Sequence, residues 1–291
     1  MTKHQCPEGY VQVTDIKVMQ KLLLQLMIKF HEVCEKHGLV YNMCGGTLLG
    51  AVRHKGFIPW DDDLDVCMPR ADYEKFIQIA KTEYADEFIT EAPGDENYIY
   101  PFVKIGMKDT VLIEGHLINN YGVRNLYLDI FPVDGYPDVV GEKNKQHFDS
   151  ICRILKKWSW AISEIRPSTR SGWRKILVLA KPFVFSYYRW QGYQKYVKQF
   201  LELTQKYKFE DCEKVTPNWQ YWGRTWIAKE KFLDRALYEF EGYRFWSVCD
   251  YHDWLSCMYG DYMTPPPPEK RVQYHGYKLY VKKELLENLE R

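Results

Sequence analysis

The run Asp61-Asp62-Asp63-Leu64-Asp65 places four carboxylates within five residues. On an extended chain, side chains at i and i+2 share a face. Asp63 and Asp65 therefore project together, with Asp61 in the same parity, while Asp62, Leu64 and Val66 face the other way. Two such carboxylates repel unless a proton or a cation sits between them. Mg²⁺ or Mn²⁺ is the natural occupant, a hard ion that takes a few carboxylates plus substrate phosphates. The competing reading of a lone D-x-D is a solvated acidic turn. Gly45-Gly46-Thr47 upstream argues against that turn. A strand ending in diglycine lets backbone approach a phosphate closely, and a helix that follows offers its free N–H groups. A third carboxylate, Asp129, lies in the apolar run Leu126–Phe131, where an acid is costly unless paired or metal-bound. Asp134 competes for that role but is expected in a Pro132–Gly135 turn, which explains an Asp locally. Phosphate donors on one side and metal-holding carboxylates on the other make a phosphoryl-transfer site. Arg53 and Lys104 are the expected phosphate contacts, with His54 and Lys55 beside them.

These residues need a scaffold. Apolar residues at helical spacing predict a helix over 15–37, capped by Thr14 and stopped by Gly38. Leu39–Met43 reads as a strand, and a short helix starts at Thr47. Asp63–Met68 alternates as a strand should, and Asp72–Tyr84 is a second amphipathic helix. Phe88–Glu91, Val103–Glu114 (as a hairpin) and Leu126–Phe131 complete a mixed α+β or α/β core that closes near Tyr136. Residues 141–210 read as helical, with 15 basic and 5 acidic residues, whereas 1–135 hold 13 basic and 20 acidic. Within that basic segment, 173–190 mixes aromatics with Lys and Arg. It suits either a membrane interface or a helical hairpin whose charges face water. Residues 216–260 are dense in Trp and Tyr, and Pro265–Pro268 is a rigid spacer.

Composition removes whole classes. The chain has 291 residues, 46% hydrophobic and 27% charged, which excludes disorder, collagen and a disulfide mini-scaffold. Lys plus Arg is 40 and Asp plus Glu is 39, so no global field marks a nucleic-acid binder. The 8 cysteines contain no C-x-x-C pair and read as buried reduced thiols. The first residues lack the apolar core of a signal peptide, and no stretch is long enough to span a bilayer. A cytoplasmic chain, or one peripheral on the inner face of the cytoplasmic membrane, is expected.

Taken together, Gly45-Gly46-Thr47, Arg53-His54-Lys55-Gly56, Ile58-Pro59-Trp60-Asp61-Asp62-Asp63-Leu64-Asp65 and Leu128-Asp129-Ile130-Phe131-Pro132 resemble the LicD family of phosphorylcholine transferases. Tyr259-Gly260-Asp261-Tyr262-Met263, Pro266-Pro267, Arg271 and His275 look like its closing motif. The resemblance covers roughly residues 15–136 and 216–276. It implies a nucleotidyltransferase-like core sheet flanked by helices over 1–136, a basic helical insertion over 137–215, and an aromatic-rich segment over 216–291 that completes the site. It implies a CDP-choline donor, or a similar CDP-alcohol, and a hydroxyl acceptor on a glycan or glycolipid. In that reading Asp63 and Asp65 hold Mg²⁺ across the diphosphate. Asp129 completes the metal set or takes the acceptor's proton, and the loop carrying Arg53, His54 and Lys55 folds over the phosphates. Aromatic faces bind quaternary ammonium best, so Tyr221, Trp222, Trp226, Trp246 and Tyr251 are the expected pool for a choline cage, with Trp222 chosen as a substrate contact. The rivals are a different phospho-alcohol or phospho-sugar donor, and an inactive module of a glycan-assembly complex.

Overall fold

The computed structural model describes residues 6–137, 142–165, 175–219, 225–273 and 275–289. The first half runs β1 (Tyr10–Val13), α1 (Ile16–His37), β2 (Asn42–Met43), α2 (Gly45–His54), β3 (Asp65–Pro69) and α3 (Arg70–Thr82). Five strands follow: β4 (Phe88–Glu91), β5 (Val103–Met107), β6 (Thr110–Ile113), β7 (Val123–Arg124) and β8 (Tyr127–Tyr136). Three helices come next, α4 (Glu142–Ile162), α5 (Lys175–Gln191) and α6 (Tyr193–Thr204). After them come β9 (Lys214–Thr216), β10 (Ile227–Ala228), α7 (Lys229–Leu233), β11 (Arg235–Phe240) and β12 (Tyr243–Val248). The chain closes with α8 (Tyr251–Tyr259), β13 (Lys278–Lys282) and α9 (Lys283–Leu289). The fold is mixed α+β, as expected.

The central sheet has the order β10-β9-β8-β3-β2, with β5 on the same edge of β8 as β9 and β4 outside β5. β3 and β8 are parallel, and β5 runs antiparallel to β8. α1 covers this sheet because Leu22, Leu23, Leu26, Met27, Phe30 and Val33 recur on one side and are buried. Each such side chain contributes about 1.5–3 kcal/mol on burial. Phe30 meets Tyr41 and Phe76 edge-on, at 4.9 and 5.1 Å between centroids. Asp15, rather than Thr14, caps α1 by accepting from Lys17 N at 2.8 Å. At the other end Gly38 adopts φ 62°, a left-handed stop that glycine takes without strain.

Several expectations need correction. The diglycine does not end a strand: α2 begins at Gly45, so both glycines lie in its first turn. The third helix starts at Arg70, directly after Pro69, and stops at Thr82. Val103–Glu114 is not a hairpin. β5 pairs with β4 and β8, whereas β6 joins a second sheet of order β1-β13-β6-β7. The partner that captures β6 is β13, about 170 residues later, which no local pattern announces. Pro132–Gly135 is not a turn either, because β8 continues to Tyr136. Asp129 N donates to Leu64 O at 3.0 Å, so backbone N–H groups of odd-numbered residues face β3. The nitrogen of Pro132 then faces the opposite edge, in the gap between Ile130, paired to β5, and Asp134, paired to β9. A missing N–H there breaks no ladder bond. The eight cysteines are free; Cys34, Cys44, Cys67 and Cys212 are buried, but Cys6, Cys249 and Cys257 are exposed.

α4 is tied to the core by Trp158, whose indole N–H donates to Ile99 O at 2.7 Å. No helix among the described residues is long and apolar enough to cross a membrane.

Candidate active site

Four ionisable residues stand in one row across the central sheet. Asp65 on β3 is the register partner of Asp129 on β8. Asp129 is in turn the partner of Lys104 on β5, and Lys104 of Glu91 on β4. Register neighbours share a face, so the two acids stand side by side. Lys104 donates to Asp129 Oδ1 at 2.6 Å, and Glu91 is ion-paired with Arg124. Lys104 is buried. Its ammonium lies 3.4 Å from the ring centroid of Tyr127, 4.4 Å from Tyr100 and 5.2 Å from Phe102. This lysine, expected at a phosphate, thus has its charge lodged among rings against Asp129.

The acidic run supplies the rest of the cluster. Gln20 of α1 is buried and donates to the carbonyls of Ile58 and Asp61, at 3.2 and 2.9 Å, which fixes the approach to β3. Regular pairing begins only at Asp65, so Asp61 and Asp63 lie before the strand, outside the sheet. Burial first, and then the charges of Asp63 and Asp62, push the Asp61 carboxyl up to about 8. Asp61 holds its proton toward Asp63. Asp65 is pushed well up by burial and then by Asp63, Cys44, Asp129 and Asp61. Asp129 is pushed up to about 6 by burial, against the lowering effect of Lys104.

Asp62 is buried beside this group. His275 Nδ1 donates to Asp62 Oδ1 at 2.8 Å and lies 3.8 Å from Asp63 Oδ2. Burial lowers the imidazole's pKa, but the bond to Asp62 and the charges of Asp63, Asp62 and Asp129 outweigh it and raise it to about 9. The ring stacks flat on Tyr277 at 4.8 Å. The Tyr127 hydroxyl donates to Glu114 at 3.0 Å, so Tyr277 must donate to Tyr127 across their 2.8 Å contact. Tyr100 donates to the other Glu114 oxygen at 2.8 Å. This network links the C-terminal stretch to the acids and to the rings around Lys104.

The donor set suits a hard cation. Asp62, Asp63 and His275 each offer a ligand atom, all within 4.8 Å of one another. Asp62 Oδ2 is buried with no hydrogen-bond partner among the described residues. Asp65 and Asp129 add oxygens on the neighbouring rungs, and carboxyls that raise one another's pKa are what a divalent ion would relieve. His275, protonated and spent on Asp62, is a poorer ligand than the four oxygen-bearing acids.

Beside the acids stands the start of α2. Thr47 accepts from Asp65 N at 2.8 Å, and Cys44 N donates to Asp65 O at 3.2 Å, so the helix is bolted to the first residue of β3. Gly45 has φ 55°, where a side chain would be strained. A Cβ on Gly46 would lie 2.6 Å from Asp61 Oδ2. Gly46→Ala should therefore keep the fold, because the obstructing atom is the end of a side chain, but should displace Asp61 from Asp63. The expected result is a thermal midpoint within a few degrees of the parent and activity down by about tenfold or more. Parent-level activity would remove the Asp61–Asp63 contact from the site's working parts.

Arg53 donates to Tyr262 O at 2.7 Å from the last turn of α2. Burial, and then the nearby Arg271 charge against the pull of Tyr259, lowers its pKa. Arg271 lies over Trp60 at 5.6 Å, and His54 meets Trp60 edge-on at 6.5 Å. Arg53, Arg271 and His54 thus gather around Trp60, next to the acidic run. Lys55 is different: it is exposed and pairs with Glu239 at 3.4 Å. The segment after it is pinned, since Glu241 Oε1 accepts from Phe57 N at 3.0 Å and Glu241 N donates to Lys55 O at 2.8 Å. Trp222, with Tyr221, lies outside the described residues. Trp226 packs on Tyr136, Trp246 under Arg235, and Tyr251 on Tyr238. The rings that pack on the site's charged groups are instead Tyr100, Phe102 and Tyr127 around Lys104, and Tyr277 against His275. Asp62, Arg271 and His275 escaped the sequence-based choice of site residues; only the closing motif hinted at the last two. A cavity of about 180 Å³ adjoins Asp62 and Tyr277, while larger ones of about 560, 720 and 340 Å³ lie between α6 and the 93–98 loop, between α4 and α5, and beside Arg70 and Tyr73 of α3, and touch none of Asp61, Asp62, Asp63, Asp65 and Asp129.

Residues 38–180 match the family model described as LicD/FKTN/FKRP, nucleotidyltransferase domain. The chain is 30% identical over 278 residues to the lipopolysaccharide cholinephosphotransferase LicD of Haemophilus influenzae, covering 91% of this chain and 98% of that protein. Over 71 residues, 23% of each chain by length, it is 45% identical to an uncharacterized protein of Rickettsia typhi. Over 124 residues it is 28% identical to mannosyltransferase regulator 4 of Saccharomyces cerevisiae, covering 40% of this chain and 10% of that one. With similarity running through nearly the whole length of the Haemophilus transferase, this chain belongs to the LicD family.

Proposed function

We propose that the protein transfers phosphocholine from CDP-choline to a hydroxyl of a lipopolysaccharide-type glycan, with Mg²⁺ or Mn²⁺ bound by Asp63, Asp65 and Asp129. One observation carries the reading: acids from two distant stretches stand together beside the N-terminus of α2, in a chain alignable with almost all of a lipopolysaccharide cholinephosphotransferase. The bound ion would neutralise charge on the diphosphate. The α2 N–H groups and Arg53 favour the phosphates, and Arg271 adds a second positive charge on that side. Thr47 acts on the protein, holding Asp65 N, rather than on the donor. The acceptor oxygen forms a bond to the phosphocholine phosphorus, the bond from that phosphorus to the CMP oxygen breaks, and CMP leaves with the electron pair. Asp129, whose direction Lys104 fixes, has one alternative use: left outside the metal set, it accepts the hydroxyl proton.

The test is direct. Purified protein with Mg²⁺ and a lipopolysaccharide acceptor should release CMP from CDP-choline, and EDTA should stop the release. Turnover of CDP-ribitol or CDP-glycerol, with none of CDP-choline, would keep the reaction class and eliminate choline. No CMP from any of the three donors would leave a binding module.

A further inference from the structure

Helix α5 has two faces of different character. Its inner face is packed: Tyr188 meets Trp160 at 5.1 Å and Tyr196 at 5.8 Å, and Arg189 donates to Ser163 O at 2.8 Å. Its outer face is not. Phe183 is 80% exposed, Trp190 82% and Tyr187 54%. These three sit at i, i+4 and i+7 and form one stripe. A lone exposed aromatic needs no explanation, but three in line on one helix face do.

The charge of α5 and of the two helices packed against it indicates what covers the stripe. The described part of α5 contains no acid, and residues 141–210 hold 15 basic and 5 acidic residues. Arg153 and Lys156 on α4, and Lys195 and Lys198 on α6, the two helices packed against α5, are exposed. Trp and Tyr favour the headgroup layer of a bilayer, with an apolar body inward and a polar edge outward. Basic side chains beside them meet lipid phosphate. We infer that α5 lies in the headgroup layer of an anionic phospholipid membrane, inserting Phe183, Tyr187 and Trp190 while the basic residues of α4 and α6 contact phosphate. With no described helix able to cross the bilayer, the contact is peripheral. It would hold the site beside an acceptor carried on lipid, and it stands whichever nucleotide donor is used.

The experiment is vesicle flotation of the full chain, with no activity readout. The protein should float with phosphatidylcholine vesicles containing phosphatidylglycerol, much less with phosphatidylcholine alone, and high salt should release it. Phe183→Ser combined with Trp190→Ser should bind at least about tenfold more weakly. Its thermal midpoint should match the parent, since both side chains are exposed. Lys156→Gln combined with Lys195→Gln should flatten the salt dependence. Failure of the parent to float with the anionic vesicles would overturn the inference, as would flotation of the aromatic variant at parent level. A parent dimer that the aromatic variant turns into a monomer would assign the stripe to a second copy of the chain and overturn it as well.

Discussion

Asp65→Asn is expected to lose transfer by about 10²–10³-fold while melting at the parent temperature or above it. The first half of that result follows from charge. Asn keeps the shape and one oxygen of Asp but offers a divalent ion no negative charge, and losing one electrostatic partner at the reacting phosphate typically costs on the order of 10²–10³-fold. The second half follows from the surroundings. Burial and the charges of Asp63, Asp129 and Asp61 all work against an ionised Asp65. A neutral isostere removes that repulsion, and Asp65 N still reaches Thr47 because the main chain is untouched. Function and stability should therefore move in opposite directions, as they do where a fold tolerates strain for the sake of a site. CMP release and a thermal melt on one preparation check both halves. Retained transfer in Mg²⁺ would take Asp65 out of the metal set. A large drop in midpoint would mean that its carboxylate is structural.

The parts of this site that could be read from the chain are those whose spacing is local. Asp63 and Asp65 share a face by parity alone, and Asp129 declares itself as an acid in an apolar strand. That Asp65 and Asp129 become register partners depends on β3 and β8 pairing in parallel across about sixty intervening residues, and the run of residue types does not contain that information. Lys104, expected at a phosphate, is found on Asp129, and the rings that enclose its ammonium come from the loop before β5, with Tyr100 and Phe102, and from the start of β8, with Tyr127. Asp62 and His275 are the clearest omissions. Parity sets Asp62 apart from Asp63 and Asp65, and the residue it bonds, His275, is 213 positions away. Glu241 is hidden for the same reason: its carboxylate pins the segment after α2 from the turn between β11 and β12. Helix limits were legible to within a residue or two where a cap or a glycine marks them, as at Gly38. β8 was cut short because Pro132 looks like a strand end until its nitrogen is known to face an empty stretch of the sheet edge.

Asp134, set aside as a turn residue, leads to the largest stability effect expected in this protein. It lies on β8, five residues after Asp129 and on the opposite face by parity. Arg70, the first residue of α3, grips it with two hydrogen bonds, Nε to Oδ1 at 2.8 Å and Nη2 to Oδ2 at 2.6 Å. The Asp134 side chain is 3% exposed and that of Arg70 15%, and the guanidinium also lies over Tyr73 at 5.2 Å. Removing one partner leaves a buried charge with nothing to balance it, so Arg70→Ala is expected to cost about 3–5 kcal/mol. In a chain of this size that lowers the thermal midpoint by on the order of 10 °C. Removing both, as Arg70→Met with Asp134→Leu, should recover most of the loss, because the pair's attraction only offsets its own desolvation. Denaturant titration of the parent, the single and the double variant reads the cycle. A single-variant loss below about 1 kcal/mol would show that water already reaches the pair. Because the pair joins α3 to the back of β8, Arg70→Ala should still release CMP well below its own midpoint, at a rate close to the parent's. That outcome would separate the strand's anchorage from the chemistry on its other face.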